Sequence, residues 1–312
     1  MTILLTFRDN IKNFLSRYDF VFTPIGKFVA ALVIFYYINI QMGYMPVLMQ
    51  FSTIAILAVI AAFLPVEIMT VIGGFMIVLH SSKIGLDVML SCVAIILIFY
   101  CGYMRFASKS GVIALLIPIF YCLKLTYTIP IIMGFMVGPS AIVPVIFGVI
   151  LYYYQECLGD VISVLANASE SDEVLVGYRY LMDSLIGNKT MLLTILVFAC
   201  VILITYAVYK LSFAYSWFVA FAVGGVMNVV LFLVGRVKLS VEIDAASVLV
   251  GSIVGVLLAV VLRFVKDILD YQKTELMQFE DDDYFYYVKA IPKLSVAAAN
   301  KNVKHINSKT KN

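Results

Sequence analysis

Histidine is almost missing from this chain of 312 residues, which holds only His80 and His305. That scarcity leaves no His-Glu-x-x-His zinc site and no serine–histidine pair, and no aspartate pair suited to intramembrane proteolysis stands in the apolar segments. A phosphate-binding loop of the Walker type is also missing. Gly73-Gly74 and Gly224-Gly225 lie inside apolar runs, where small residues mark close helix packing. The five cysteines (Cys92, Cys101, Cys122, Cys157, Cys200) have no Cys-x-x-Cys spacing, so no metal or disulfide framework is expected. Charge is scarce as well: 13% of residues are charged, and the net charge is only +3. The basic residues sit mainly at the ends of apolar runs and in the tail, which suits anionic headgroups and not nucleic acid. Together these absences predict a chain that is not an enzyme and has no cofactor, no metal and no nucleic-acid partner.

What the chain has is hydrocarbon. Hydrophobic residues make up 63% of it, and the mean hydropathy is +1.03. In a bilayer, backbone groups must be satisfied internally, which restricts the spans to helices or a closed barrel. The runs are too long and too uniformly apolar for alternating barrel strands. The expected class is therefore all-α: a polytopic helical membrane bundle of about eight spans. A broken re-entrant segment and a short tail with a β-strand or hairpin motif are expected with it.

Along the chain, Leu4, Phe7, Ile11, Phe14 and Tyr18 recur at helical spacing with Arg8, Lys12 and Arg17 between them. Residues 1–20 therefore read as an interfacial amphipathic helix and not as a cleavable leader. A first membrane half covers 21–127. In 128–154, Pro130, Gly134, Gly138, Pro139, Pro144 and Gly148 interrupt one apolar run, which predicts a re-entrant hairpin or paired half-helices bent near Gly138-Pro139. Residues 155–189 form an acidic connection with six carboxylates against Arg179 and Lys189, expected outside. A second membrane part covers 190–265 and a cytoplasmic tail covers 266–312. Arg105 and Lys109, then Arg263, Lys266 and Lys273, put both termini on the cytoplasmic side of a cell membrane by the positive-inside rule. Tyr36-Tyr37 and Tyr152 to Tyr154 read as interfacial belts.

Two functions from different classes follow. Broken apolar segments are a transporter feature, so one reading is a permease-like or channel-like subunit for a neutral or amphiphilic solute or a lipid. Its pathway candidates are Glu67, Gly134, Gly138, Pro139, Pro144 and Asn228. Bland roles stand beside them: Glu67 as a charge in a first helical turn, Asn228 as a bridge between helices, Lys124 snorkelling and His80 at an interface. The other reading is a non-catalytic scaffold or complex subunit. In the tail, Glu280 to Asp283 separate Leu276–Phe279 from the aromatic run Tyr284–Val288, a pattern of strand and turn. A two-stranded unit is marginal alone in water and gains from pairing with another edge. Phe279, Asp282, Tyr284, Tyr286 and Val288 are its docking candidates, for a protein partner or a second copy. The lipid bilayer is the partner common to both readings.

Overall fold

The computed structural model describes residues 18–166, 173–212, 215–266, 275–280 and 285–290. The interfacial helix expected at 1–20 therefore lies almost wholly outside the described residues. The chain divides into two compact units, one of which is Asp19–Leu262. Among the described residues of that unit every regular element is helical, as apolar backbone in lipid requires.

Its first half begins with α1 (Asp19–Met42), short α2 (Pro46–Met49), α3 (Phe51–Phe63), α4 (Val66–Ser81) and α5 (Leu86–Phe99). The breaks have local causes. Gly43 takes φ +64 after α1, a conformation open to glycine without the Cβ penalty. Leu64 is extended ahead of Pro65, as the residue before a proline is pushed to be. A π-helical turn, Tyr100–Met104, prolongs α5. Next come α6 (Val112–Cys122) and a 3-10 turn at Thr126–Thr128.

The interrupted run then resolves into two unequal pieces. Helix α7 (Ile129–Met136) is only 8 residues long. The chain breaks at Gly138, with φ +82, and Pro139 starts a 3-10 turn that leads into α8 (Ile142–Ala166). Pro144 falls in the first turn of α8, where its missing N–H removes no helical bond. Unlike the hairpin expected over 128–154, the second arm does not turn back near Tyr154. It continues as a 25-residue helix, and the stretch Pro139–Leu165 is long and apolar enough to cross a membrane alone. The continuation is amphipathic: Glu156, Gly159 and Asp160 are exposed while Leu158 and Val161 are buried. A sequence reading that counts carboxylates as loop misses this period. The acidic stretch also holds a second helix, α9 (Glu173–Ile186).

Helices α10 (Lys189–Tyr209), α11 (Ser216–Leu239) and α12 (Ala245–Lys266) complete the bundle. Asn188 caps α10, its side chain accepting from the Met191 N–H at 2.9 Å. Among the described residues six helical stretches have the length and apolarity of a span: Phe20–Met42, Leu86–Met104, Pro139–Leu165, Lys189–Tyr209, Ser216–Leu239 and Ala245–Phe264. Four further apolar helices are shorter, at 10–17 residues. The chain is thus a helical integral membrane protein. In the second compact unit, β1 (Glu275–Glu280) pairs antiparallel with β2 (Phe285–Ala290), Glu275 opposite Ala290 and Phe279 opposite Tyr286.

Candidate functional site

The short helix α7 is buried from Ile129 to Phe135, and its neighbours reach it through glycine. A Cβ on Gly134 would lie 2.9 Å from Thr205 Cβ and 3.0 Å from the Ile202 carbonyl oxygen. One on Gly138 would lie 2.9 Å from ring carbons of Tyr206. These two glycines therefore seat α7 and its break directly on α10. Thr205 also occupies the space in front of Gly224 on α11, so α7, α10 and α11 meet around one threonine. Its Oγ1 is buried without a hydrogen-bond partner.

Helix α12 approaches the same junction. Gly251 faces the Tyr127 ring and Gly255 faces Thr128, whose Cα would be 3.0 Å from an added Cβ. This Gly-x-x-x-Gly spacing lets the helix backbone close on the turn that precedes α7. Asn228 ties the parts together. It is 0% exposed and its Nδ2 donates both to the Tyr127 carbonyl and to Ser252 Oγ, each at 2.9 Å. Its Oδ1 is buried with no partner.

Beside this bridge, α11 and α12 line an open groove of about 440 Å³. Ala222 and Gly225 from α11 and Ser252 from α12 are among its lining residues, with Val226, Val230, Ile253 and Leu257. Val226 is 62% exposed and Ile253 is 61% exposed. The arrangement sets an apolar surface beside a buried polar pair.

Of the six pathway candidates, Gly134, Gly138 and Pro139 belong to this neighbourhood through α7, and Asn228 through its bridge. Pro144 opens α8. Glu67 stands apart: in the first turn of α4 it accepts from Ser108 Oγ at 3.0 Å, while Lys27 Nζ donates to the nearby Leu64 carbonyl at 3.2 Å. It fastens a helix start to the connection before α6. Of the docking candidates, Phe279, Tyr286 and Val288 fall in the paired strands, and Asp282 and Tyr284 lie outside the described residues.

Sequence reasoning passed over two polar centres. His80, read as interfacial, is 0% exposed. Its Nδ1 accepts from the Tyr44 and Met45 backbone N–H groups, both at 3.2 Å. With Nδ1 as acceptor, Nε2 carries the proton and donates to Asn39 Oδ1 at 3.1 Å, and Asn39 Nδ2 donates to the Phe35 carbonyl at 2.9 Å. The imidazole thus closes the connection between α1 and α2. The signal was an asparagine inside the first apolar run and a histidine in the third.

The second centre is Asp87, 5% exposed at the start of α5. Its Oδ2 is buried without a partner and rests where a Cβ on Gly177 of α9 would stand. Nearby, Tyr154 donates to the Val88 carbonyl at 3.0 Å and lies 3.1 Å from Ser81 Oγ. A carboxylate one residue inside an apolar run was the available clue. Among the described residues no group of three His, Cys, Asp or Glu side chains is placed to hold a metal.

Comparison with family models, curated proteins and solved structures gives no match. The class that the fold defines is the helical integral membrane protein.

Proposed function

We propose that this protein is a permease-like subunit that handles a lipid or similar amphiphile at the junction of α7, α11 and α12. The observation that carries the reading is the apolar groove of about 440 Å³ beside the Asn228–Ser252 pair. Interrupted helices packed beside a substrate seat are a recurring transporter arrangement, and α7 with the break at Gly138 supplies one here.

The test is lipid movement in reconstituted vesicles, read as the fraction of a fluorescent phospholipid that an external quencher reaches. Gly138→Leu is a poor instrument, because a Leu there takes a strained φ and meets Tyr206. Val226→Trp and Ile253→Phe fill the groove from its exposed rim and leave the core alone. The reading expects the wild-type chain to accelerate exchange and the rim variants to return it to the empty-vesicle rate. Equal rates with and without protein would defeat it.

A scaffold role is the second reading, favoured by β1 and β2 forming a sheet of only two strands among the described residues. Among the described residues each strand is paired on one edge only, and an open edge is how short sheets recruit partners. Tyr286→Asp should then release a stoichiometric partner from the purified protein while membrane insertion stays normal. Retention of that partner would remove the tail as the dock.

A further inference from the structure

We infer that one face of the two-stranded sheet of β1 and β2 is covered by the chain's own N-terminal segment, laid across it as an amphipathic helix. The inference is independent of the lipid-handling reading. It concerns a face of the sheet and leaves the strand edges free.

The register fixes which residues share that face. Met277 stands opposite Val288 and Phe279 opposite Tyr286, and residues two apart along a strand lie on the same side. Met277, Phe279, Tyr286 and Val288 therefore fall together, whereas Gln278, Glu280 and Lys289 fall on the other face. Two strands alone are marginal in water, and a hydrophobic face packed against a helix is one way such a unit becomes stable.

Three observations name the helix. The first is the compact unit itself, which comprises Arg263–Asn312 together with Met1–Tyr18. The second is sequence. Leu4, Phe7, Ile11, Phe14 and Tyr18 recur at three or four residues, the apolar stripe of a helix. From Leu4 to Phe14 that stripe would run ~15 Å, within the ~20 Å of a six-residue strand. A helix about 10 Å across also spans two strands about 5 Å apart. The third is charge. The segment holds Arg8, Lys12 and Arg17 against Asp9, and the hairpin with its turn holds Glu275, Glu280 and Asp281 to Asp283 against Lys289. Opposite net charges favour and orient the pairing.

The bundle also sends both chain ends out on one side. The start of α1 is level with the end of α3, where Lys27 Nζ donates to the Leu64 carbonyl at 3.2 Å. The Ser108–Glu67 bond and the Tyr103 hydroxyl on the Ser140 carbonyl carry that level to the start of α8. Gly138 against Tyr206 carries it to the end of α10. From there α11 runs away and α12 returns, antiparallel through Asn228 with Ser252 and Gly225 with Val256. Tethering on one side raises the effective concentration of the segment at the sheet.

The experiment places the photoreactive amino acid benzoylphenylalanine at Phe7 of the full chain, in vesicles of phosphatidylethanolamine and phosphatidylglycerol. A second sample carries it at Ser16, on the polar side of the period. Adducts are mapped by peptide mass spectrometry. The Phe7 probe should join Met277, Phe279, Tyr286 or Val288 of the same chain, and the Ser16 probe should not. Arg8→Glu with Lys12→Glu should cut those adducts, and adding Asp281→Lys with Asp282→Lys should restore them. In Phe7→Asp/Ile11→Asp, amide exchange in β1 and β2 should rise about tenfold, equivalent to ~1.4 kcal/mol.

Adducts on lipid alone overturn the inference and return the segment to the bilayer surface. Adducts that join two chains overturn it in favour of a second copy as the cover. Labelling of Leu276 and Tyr287 as strong as that of Met277 and Tyr286 overturns the choice of face. Unchanged exchange in Phe7→Asp/Ile11→Asp overturns the cover itself.

Discussion

Removing the imidazole of His80 should loosen the first third of the bundle. In His80→Ala, the Tyr44 and Met45 N–H groups lose their acceptor and Asn39 Oδ1 loses its donor. A buried polar group left unsatisfied costs about 1–3 kcal/mol, and each lost hydrogen bond about 1 kcal/mol. Tyr44 and Met45 are half-buried, so water or headgroups recover part of this, and the net loss should be ~2–4 kcal/mol. For a domain of this size that corresponds to a fall of roughly 5–10 °C in the unfolding midpoint. The assay is thermal unfolding in mild detergent, followed by circular dichroism. His80→Phe separates hydrogen bonding from volume, since it fills the space and supplies neither acceptor nor donor. Both variants should fall together. If His80→Phe unfolds within about 2 °C of wild type, the network contributes nothing and the imidazole is there only to fill space.

Three further outcomes follow from other contacts. Asn228→Ala and Ser252→Ala should be coupled by ~0.5–1.5 kcal/mol in a double-mutant cycle, the range for hydrogen bonds between membrane helices; additive effects would deny the bridge. Gly177→Ala puts a methyl group onto Asp87 Oδ2 and should destabilise by about 1–3 kcal/mol. Adding Asp87→Ala should recover part of that loss, and no recovery would mean the two residues do not meet. Asp244 lies outside the spans. The Ser247 hydroxyl and the Ala246 and Ser247 N–H groups hold its carboxyl below the usual carboxylate range. Its contribution is therefore present above that range and is lost as pH falls through the lowered value. Hydrogen exchange at Ala246 and Ser247 should accelerate below about pH 4 relative to the intrinsic rate, and Asp244→Asn, which keeps an acceptor, should remove that step.

The membrane class was legible because apolarity over 20-residue windows is a bulk property that no single residue can hide. The break at Gly138 was legible too, since Gly-Pro after an apolar run leaves few backbone choices. Helix α8 was harder to read. Tyr154-Gln155-Glu156 looks like the end of a span, and only the burial of Leu158 and Val161, one and two turns past Tyr154, shows the amphipathic helix continuing. The polar centres were hidden for a different reason. His80 and Asp87 lie far in sequence from the groups they meet, as Asn39 does from His80, and one residue inside an apolar run does not say which backbone or glycine will face it. Asn228 could be weighed as a bridge from its position alone, but its partners Tyr127 and Ser252 come from a turn and a helix that only the packing of α12 brings together. The groove has no sequence signature of its own, because it is lined by residues of two uniformly apolar helices that only packing sets side by side.

The most direct test of the amphiphile-handling account is phospholipid exchange in vesicles, with the wild-type chain compared with the Val226→Trp/Ile253→Phe double variant at equal insertion. The account predicts that the wild type opens the inner leaflet's fluorescent lipid to an external quencher and that the filled groove closes it again. Exchange that proceeds equally in both proteins, or in neither, would contradict it.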